Sequence, residues 1–562
     1  MKILILGGYG TFGGRLAYLL AEDERLILLI AGRSIQKARK FCEGLPSGAQ
    51  KVPVFFDQNG NVEAQIQEIN PNIVVDAMGP FQIYGDDPYR VVKACLANAV
   101  DYMDLADGSD FVKGIRQFDR EAKAKNIYVL SGVSSFPVLT AAVVRKLSYD
   151  MTCVNTIKGG IAPSPYAGVG LNVIRAIASY AGKPLPLVRN GKPATGYALT
   201  ETMRYTICPP GCLPLNNTLF SLVDVPDLKV LPELWPELDS VWLGAGPVPE
   251  VLHRMLMGLS WLVRLRILPS LLPFASLFHF VTNTVRWGEH RGGMFVSVEG
   301  TNQGGKRIER SWHLLAEGGD GPLIPSMAVQ ALILHCLAGK KPSAGARPAT
   351  QELEVSDYDA IFKSRAIYTG QRESKADAAP APLYKRILGE AWDALPAPLA
   401  ALHNVLSSDQ KAQGVARIET GKNVFARLLA ALYGFPGAGE HVPVKVSFHP
   451  KDDGELWQRD FAGRKFSTFQ SEGWGYADKL LVERFGPVTF WMALVLKQGE
   501  LHCVTRRWSV FGIPLPLAFS PNATVHEYVD GGDFCFHVEV KHWLTGLIVR
   551  YEGKLQLTHT DS

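Results

Sequence analysis

Short apolar runs alternate with amphipathic stretches of helical spacing along the N-terminal part of the chain. The runs KILIL, RLILLIAG, VPVFFD, NIVVD, VDYMDLA and IYVLSGV have the length and aliphatic content of buried strands. Between them, stretches such as RLAYLLAE, NVEAQIQEIN and DPYRVVKACLANA repeat apolar residues with a helical period. This alternation predicts an α/β fold with a parallel, doubly wound sheet.

A glycine-rich loop, GGYGTFGG, lies between the first strand and the first helix. Gly8, Gly10 and Gly13 satisfy GxGxxG, while Gly7, Gly10 and Gly13 satisfy GxxGxxG, so the register remains open. Such glycines permit a tight turn and a close approach of a pyrophosphate to the helix start. The loop therefore predicts a Rossmann dinucleotide site. Its cofactor-binding residues are predicted to be Gly8, Gly10, Thr11, Phe12 and Gly13.

The end of the second strand indicates which dinucleotide binds. An NAD site places Asp or Glu about 20 residues beyond the glycines, where it binds the ribose hydroxyls. This chain instead has Arg33, followed by Ser34 and Lys37. A guanidinium can hold a 2′-phosphate through two hydrogen bonds, so NADP is favoured over NAD. In the alternative interpretation, Arg33 merely caps the strand and faces solvent.

Two further strand ends complete the predicted site. Asp57 ends the third strand, where adenine is often contacted, and Met78, Gly79 and Pro80 follow the fourth strand on the nicotinamide side. Hydride transfer often needs a proton donor nearby. The candidates for this catalytic role are Tyr84, Tyr102 and Asp104. The alternative for both tyrosines is ordinary packing with a hydrogen-bonded hydroxyl.

Several segments resemble the saccharopine-dehydrogenase-like proteins over roughly residues 1–365. They are GGYGTFGG, AGRS, GPF followed by YG, KACLANAVDYMDL, SGVSSFP and a later block beginning GGMFVSVEGTNQGG. The resemblance implies a Rossmann domain, an interleaved α/β domain that carries the substrate cleft, and a late helix that returns to the Rossmann domain. It supplies no substrate, because the sequence shows no clear cluster of cationic residues for an amino-acid substrate.

The predicted domain organisation follows from this resemblance and from composition. We expect a Rossmann NADP-binding domain at 1–135 and a substrate or dimerisation α/β domain at 136–365, with a returning helix at about 325–339. Charged and small residues with prolines predict a linker at 366–382. The remainder, 383–562, begins with short helices and continues as a curved antiparallel sheet, an α+β domain that resembles an uncharacterised domain fused behind such proteins.

One apolar segment, residues 251–285, contributes most to the high mean hydropathy of +0.04. Arg264 and Arg266 interrupt it, and Pro269 and Pro273 break any helix beyond them, which disfavours a membrane span. We expect two short helices there. They are either buried at an interface or resting on a membrane surface, and both alternatives remain open.

Charge and cysteine content exclude other classes of function. The 58 basic and 54 acidic residues give a net charge of +4, too slight for a nucleic-acid-binding protein. The eight cysteines form no CxxC pair, so we expect neither a disulfide framework nor a metal site. The first apolar run is too short for a signal peptide, which predicts a cytoplasmic protein, peripheral to a membrane if 251–285 contacts one.

These features predict an NADP-dependent oxidoreductase that acts on a small or lipid-like substrate, and a homodimer is compatible with the fold. The alternative is a non-catalytic NADP(H) sensor or membrane-surface scaffold with a ligand-binding C-terminal domain. Fold alone does not decide between them, because function belongs to the site.

Overall fold

Strands and helices alternate from the N-terminus as far as Leu147 in the computed structural model, as the apolar pattern predicts. In chain order these elements are β1 (Lys2–Leu6), α1 (Thr11–Leu20), β2 (Ile27–Gly32), α2 (Ile35–Glu43), β3 (Gln50–Phe55), α3 (Val62–Ile69), β4 (Ile73–Asp76), α4 (Arg90–Ala97), β5 (Asp101–Asp104), α5 (Ser109–Gly114), α6 (Asp119–Ala124), β6 (Tyr128–Ser131) and α7 (Thr140–Leu147).

Longer strands dominate the segment that follows. Its elements are β7 (Met151–Ala162), α8 (Leu171–Tyr180), β8 (Pro184–Arg189), β9 (Lys192–Tyr197), β10 (Thr202–Ile207), β11 (Leu215–Leu222), α9 (Asp227–Leu234), β12 (Ser240–Ala245), α10 (Glu250–Arg264), α11 (Ala275–Thr284), β13 (Gly292–Asn302), β14 (Arg307–Ala316), α12 (Ile324–Leu337), β15 (Gly345–Pro348), α13 (Val355–Lys363) and β16 (Ile367–Ser374).

These strands form two large sheets. The first is parallel, in the order β15-β6-β5-β4-β1-β2-β3, so the chain reverses its winding between β1 and β4. The second is mixed, in the order β10-β11-β12-β7-β13-β14-β16, with β8 and β9 as a separate pair. The predicted α/β class with a doubly wound sheet and an interleaved mixed α/β layer is confirmed.

The alternation of side chains along β1 shows why the parallel sheet is covered on both faces. Ile3 and Ile5 belong to one buried core, together with residues of α1, α7 and α12. Leu4 and Leu6 belong to another, with residues of α3, α4 and α6. Successive side chains of a strand point to opposite faces, so a strand buried on both faces reads as a continuous apolar run.

The structure describes residues 1–247, 249–374, 381–407, 410–432 and 434–558. Two units divide the chain: Met1–Arg204 with Thr218–Tyr368, called unit 1, and Tyr205–Asn217 with Thr369–Ser562, called unit 2. Within unit 1, the late helix α12 packs against α1, where the Gln330 amide donates to the Leu19 carbonyl at 3.2 Å. Of the predicted linker at 366–382, residues 375–380 lie outside the described residues.

The C-terminal part of unit 2 consists of three helices and long antiparallel strands among its described residues. They are α14 (Leu383–Leu388), α15 (Ala397–His403), β17 (Lys411–Thr420), α16 (Val424–Leu432), β18 (Gly439–Lys451), β19 (Gly454–Phe461), β20 (Arg464–Glu472), β21 (Leu481–Phe485), β22 (Val488–Lys497), β23 (Glu500–Val510), β24 (Ile513–Leu515), β25 (Asn522–Asp530), β26 (Asp533–His542) and β27 (Gly546–Thr558).

The predicted curved antiparallel sheet of this domain is confirmed, and it closes on itself. Its order is β22-β21-β20-β19-β18-β17-β27-β26-β25-β23-β24, and β22 also pairs with β23. Helices α14 and α15 contribute Leu388, Leu399 and Leu402 to the core that the strands surround. Residues 411–420, which fall among the predicted short helices, form β17 instead, because pairing with β18 and β27 overrides their weak helical pattern.

A buried histidine–glutamate hydrogen bond lies in the core of this closed sheet. His403 is fully buried, and its Nε2 lies 2.5 Å from Oε2 of Glu527, which is 8% exposed. The imidazole stacks on Tyr384, with ring centroids 3.8 Å apart. Removing one partner leaves the other polar group buried without its hydrogen bond, which costs more than the bond itself contributes.

We expect His403→Phe to keep the aromatic stack but to lower the free energy of unfolding by about 1–3 kcal/mol, since the buried Glu527 carboxyl loses its hydrogen-bond partner. Urea denaturation followed by tryptophan fluorescence measures this change. The double variant His403→Phe with Glu527→Leu should recover most of the loss. Exposed His441→Phe is the matched control and should change stability by less than about 0.5 kcal/mol. A single variant no worse than this control would contradict the assignment.

Candidate functional site

The glycine-rich turn between β1 and α1 has the register Gly7, Gly10, Gly13. Gly7 adopts a φ of +69°, a conformation that favours glycine. A Cβ on Gly13 would lie 2.4 Å from the Gly7 carbonyl oxygen, so only glycine permits this approach of helix to strand. The Gly8 N–H donates to the Ala31 carbonyl at 3.0 Å and extends the pairing with β2. Gly7 therefore forms the tight turn, and Gly8 remains part of the sheet edge.

Free N–H groups converge at the start of α1. Gly10 caps the helix without a side-chain hydrogen bond, and the first turn contains no acidic residue. Across the described residues, the amides of Thr11, Phe12 and Gly13 have no acceptor. Because the helix dipole adds positive potential at this end, the turn is suited to a phosphate group.

The end of β2 lies beside this turn and carries no carboxylate. Tyr9 covers Gly32, where a Cβ would come within 2.5 Å of the Tyr9 hydroxyl oxygen, and that hydroxyl accepts the Ser34 N–H at 3.1 Å. Arg33 is exposed and has no hydrogen bond or ion pair among the described residues. Ser34 caps α2 by accepting the Lys37 N–H at 3.3 Å. The predicted cluster of Arg33, Ser34 and Lys37 thus lies together at one strand end.

The other predicted cofactor residues follow β3 and β4. The Asp57 carboxylate accepts the Asn59 N–H at 3.1 Å and closes the turn after β3, the strand next to β2. Met78 follows β4 and donates its N–H to Asp76 Oδ1 at 3.0 Å. Residues 78–80 therefore lie at the same carboxyl edge of the sheet as the glycine turn, where open α/β sheets bind ligands.

A tyrosine–aspartate pair stands beside residues 78–80. The Tyr84 hydroxyl donates to Asp76 Oδ2 at 2.6 Å. Burial raises the pKa of Asp76 to about 6, although the hydrogen bonds from Tyr84 and Met78 oppose the rise. Burial, with the neighbouring carboxylate, also raises the pKa of Tyr84 well above its ordinary value. The hydroxyl therefore keeps its proton at physiological pH and acts as a hydrogen-bond donor.

Asp104 lies at the end of β5, in register with Asp76 on β4. Its Oδ1 accepts hydrogen bonds from the N–H groups of Ala106 and Gly132 and from the Ser131 hydroxyl, at 3.0, 2.7 and 3.0 Å. Burial raises the pKa of Asp104 to about 7, and the charge of Asp76 adds to the rise. Oδ2 is buried and has no hydrogen-bond partner among the described residues.

The structure does not bring Tyr102 to the sheet edge with Tyr84 and Asp104. Tyr102 is fully buried within β5, in the core shared with α3, α4 and α6. Its hydroxyl has no hydrogen-bond partner among the described residues, and burial raises its pKa. A substrate at the carboxyl edge would have to displace this core to reach it. Tyr84 and Asp104 thus lie at the edge, and Tyr102 lies inside the sheet layer.

Unit 1 contains a second acidic pair, Asp107 and Asp224, which was not predicted from the sequence. Asp107 follows β5, and Asp224 follows β11 of the mixed sheet. Burial raises the pKa of Asp107 to about 6, and the Asp224 carboxylate adds to the rise. Burial likewise raises the pKa of Tyr180, and the charges of Asp224 and Asp107 add to the rise. The position of Asp107 just after a parallel strand could have identified it as a candidate site residue from the sequence. Asp224 is distant in the chain, and only the fold brings it near Asp107.

A loop of the interleaved layer, residues 163–170, covers the start of α1. The Arg15 guanidinium donates to the Ala167 and Gly168 carbonyls at 2.6 and 3.1 Å. A Cβ on Gly170 would meet the Thr11 hydroxyl oxygen at 2.3 Å. Just beyond, the Asn172 amide donates to the Met78 and Gly79 carbonyls at 3.1 and 2.9 Å. The crevice is thus bounded by the parallel sheet on one side and by this loop on the other.

Two families match separate parts of the chain. Residues 3–130 match the family described as saccharopine dehydrogenase NADP binding domain. Residues 395–555 match a domain of unknown function, DUF4166. A curated relative, a lipid droplet localized protein of Caenorhabditis elegans, is 26% identical over 205 residues, which are 33% of this chain and 47% of the relative. The chain therefore spans about half the length of that relative.

Solved structures with a similar arrangement are more distant. The apo histidine-tagged saccharopine dehydrogenase (L-Glu forming) from Saccharomyces cerevisiae is 13% identical, with 66% of this chain and 100% of that chain covered at a TM-score of 0.48. The WlbA dehydrogenase from Thermus thermophilus, in complex with NAD and alpha-ketoglutarate, is 10% identical, with coverages of 64% and 94% and a TM-score of 0.29.

The glycine turn, the free helix amides and the residues after β4 all lie within the matched N-terminal segment. The closed antiparallel sheet falls within the second matched segment, except for residues 556–558 at the end of β27. The N-terminal part of the chain therefore contains a saccharopine dehydrogenase NADP binding domain, and the C-terminal part contains a separate domain of unknown function.

Proposed function

We propose that the protein is an NADP(H)-dependent oxidoreductase. The observation that carries this proposal is the exposed Arg33, at a β2 end without a carboxylate, beside the free amides of α1. The amides of Thr11, Phe12 and Gly13 would hold the pyrophosphate, and Arg33 with its neighbours Ser34 and Lys37 would hold the 2′-phosphate. The glycine cradle fits this group, because a Cβ at Gly10 would lie 3.0 Å from the Gly7 carbonyl oxygen and would crowd the turn that the phosphate approaches.

The bound dinucleotide would supply or accept a hydride, and residues of this chain would handle the proton. Tyr84 is the best-placed donor, because its hydroxyl is protonated and lies beside residues 78–80. The Tyr84 proton is donated to Asp76 Oδ2 at 2.6 Å, so Tyr84 would donate to a substrate oxygen after turning away from Asp76, or with a protonated Asp76 donating to the hydroxyl in its place. Asp104, whose pKa is raised to about 7 by burial, is the second candidate for proton exchange. Tyr102 is the least suited of the three predicted residues, since core side chains enclose it.

A non-catalytic NADP(H) sensor is the alternative from another class. A sensor needs the same glycine turn and the same Arg33. It does not need Tyr84 or the acids around it as proton donors or acceptors. The raised pKa values of Asp76, Asp104 and Asp107 favour the enzyme, because buried carboxyls cost stability and carboxyls with perturbed pKa values cluster at catalytic sites. Binding of NADPH without any turnover would favour the sensor.

We also propose that unit 1 docks on a lipid surface through α10 and α11, a segment that leaves several large apolar side chains exposed. The buried residues of α10 are His253, Ser260 and Val263, whereas Met255 is 62% exposed. On α11, Leu277 and Phe280 are 57% and 65% exposed. The lipid droplet localisation of the Caenorhabditis elegans relative supports this proposal. Within the described residues, no helix combines the length and hydropathy needed to cross a membrane.

The substitution Arg33→Ala should weaken NADPH binding by about 1.5–3 kcal/mol, because a charge-assisted bond to the 2′-phosphate is lost. NADH, which lacks that phosphate, should bind as before. Fluorescence titration of both nucleotides measures the difference. Arg120→Ala, at an exposed arginine of α6, is the matched control and should change neither affinity. Equal losses for NADPH and NADH would contradict the assigned role of Arg33.

Stability should depend on pH through Asp104. In the folded state its pKa is raised from 3.8 to about 7, so the folded protein binds more protons than the unfolded chain between these values, and stability falls as pH rises through this window. Asp104→Asn removes this component, worth about 1.4 kcal/mol per pH unit at most. Relative to wild type, the variant should gain stability between about pH 5 and pH 7.

Urea denaturation at several pH values measures this gain. Asp86→Asn, at an exposed aspartate of the same domain, is the matched control and should leave the pH dependence unchanged. Parallel pH profiles for wild type and Asp104→Asn would show that the Asp104 carboxyl does not titrate with a raised pKa.

Replacing Met255, Leu277 and Phe280 together by Asp should reduce co-flotation with vesicles of phosphatidylcholine and phosphatidylserine by about tenfold or more, because apolar contact with the lipid is lost. Exposed Tyr149→Asp, elsewhere in unit 1, is the control and should float like wild type. Undiminished flotation of the triple variant would rule out α10 and α11 as the docking surface.

A further inference from the structure

One helix, α8, contacts both the edge of the candidate crevice and the exposed apolar helix α11. It packs against the turn Phe81–Ile83, which directly precedes Tyr84, and it packs against α11. A molecule resting on α11 therefore lies beside a helix that also contacts the turn before Tyr84.

The covering loop 163–170 is tied to α11 and to the segment that follows it. The Asn283 amide of α11 donates to the Val169 carbonyl at 3.1 Å. The Tyr166 hydroxyl donates to the Arg286 carbonyl at 3.2 Å, and the Tyr166 ring stacks on His290 with centroids 3.9 Å apart. The loop leads directly into α8, whose second residue, Asn172, donates to the Met78 and Gly79 carbonyls. The loop and the start of α8 together therefore extend from the apolar helix to the crevice.

Partly exposed apolar side chains occur along this span. Ile83 is 47% exposed beside the crevice, and Leu277 is 57% exposed on α11. Val169 of the covering loop and Val173 of α8 are half-buried between them. These side chains make no hydrogen bonds to water. An apolar chain that covers them would therefore be stabilised by the hydrophobic effect at each of the four positions.

Charge differs between the two ends of this span. Residues 250–287 contain four arginines and one acid, Glu250, which pairs with Arg254, and this net positive charge suits an anionic phospholipid surface. Four acids lie at the crevice end, Asp76, Asp104, Asp107 and Asp224, together with Arg90, whose charge acts on Tyr84, and Lys229, which pairs with Asp110. Because the acids outnumber the cations there, the crevice favours a neutral head group over an anionic one, and a hydroxyl on that head group could donate to the Tyr84 oxygen.

We propose that the crevice takes a single-chain lipid with a neutral polar end, which enters from a lipid surface docked on α10 and α11 and passes between α8 and the covering loop 163–170. The polar end would lie at Tyr84, and the apolar chain would contact Val173, Val169 and Leu277. The proposal rests on the proposed oxidoreductase function and names its substrate class.

Photolabelling of the full-length protein tests this route. The protein is incubated with NADPH and with vesicles of phosphatidylcholine and phosphatidylserine that contain either a long-chain alcohol or the matching fatty acid, each with a diazirine in its chain. After illumination, peptide mass spectrometry locates the labels. We expect the alcohol to label the segments around Ile83 and Val173 as well as α11, and the fatty acid to label α11 alone.

Two variants make the result specific. Val173→Trp should block the route and remove most of the label around Ile83, while α11 remains labelled. Asn283→Ala should release the covering loop from α11 and redistribute the label around Val169 without moving the label on α11. Nucleotide titration and flotation are measured in parallel, so a loss of NADPH binding would count against the proposed function and not against the route.

Labels confined to α10 and α11, in a protein that binds NADPH and floats with vesicles, would overturn the proposal. Labelling of the Ile83 segment by the fatty acid as strongly as by the alcohol would overturn the neutral head group. Unchanged labelling around Ile83 in Val173→Trp would overturn the route past α8.

Discussion

The contact between Gly13 and the Gly7 carbonyl determines the arrangement of the candidate site. Because no side chain separates them, α1 starts directly at the end of β1 and its first amides open onto the carboxyl edge of the sheet. Helix α12 then packs on α1, and the loop around Gly170 packs on Thr11. A side chain at residue 13 would push α1 outward and disturb all of these contacts together.

The same sheet edge also carries a cost in stability. Asp76 and Asp104 are fully buried at the ends of adjacent strands, and burial raises the pKa of each toward neutrality. Their Oδ1 atoms are satisfied by local N–H groups, which fixes the loops that follow β4 and β5. An asparagine could make those loop contacts without the cost of ionisation. The acid is therefore better explained by proton handling at Tyr84 than by loop geometry alone.

Local patterns were sufficient to predict the parallel sheet and the glycine turn, because each of these depends on residues close together in the chain. They also placed Arg33 at the end of β2, where an NAD site would have a carboxylate. The register of the glycines was not decided by spacing alone, since Gly7 and Gly8 both fit a motif. Only the backbone shows that Gly7 has positive φ and that Gly8 pairs with Ala31.

Features that depend on distant pairing were missed. Strand β15 is short and lies far along the chain, and it is defined by its pairing with β6. Asp224 and Asn172 come from the interleaved layer, so their distance from Asp107 and residues 78–79 cannot be read from spacing. Tyr102 was predicted from its position near a strand end, but alternation turns its side chain into the core.

Helices α10 and α11 combine a polar contact in the core with exposed apolar side chains. Helix α10 buries the His253 imidazole against the Ser221 hydroxyl at 2.7 Å, and it leaves Met255 outside although Val263 of the same helix is buried. Burial lowers the pKa of His253 to about 4, so the imidazole is neutral and the contact needs no counter-ion. In the proposed docking on a lipid surface, the exposed apolar side chains of the outer face would leave water, and their burial would favour the docked state.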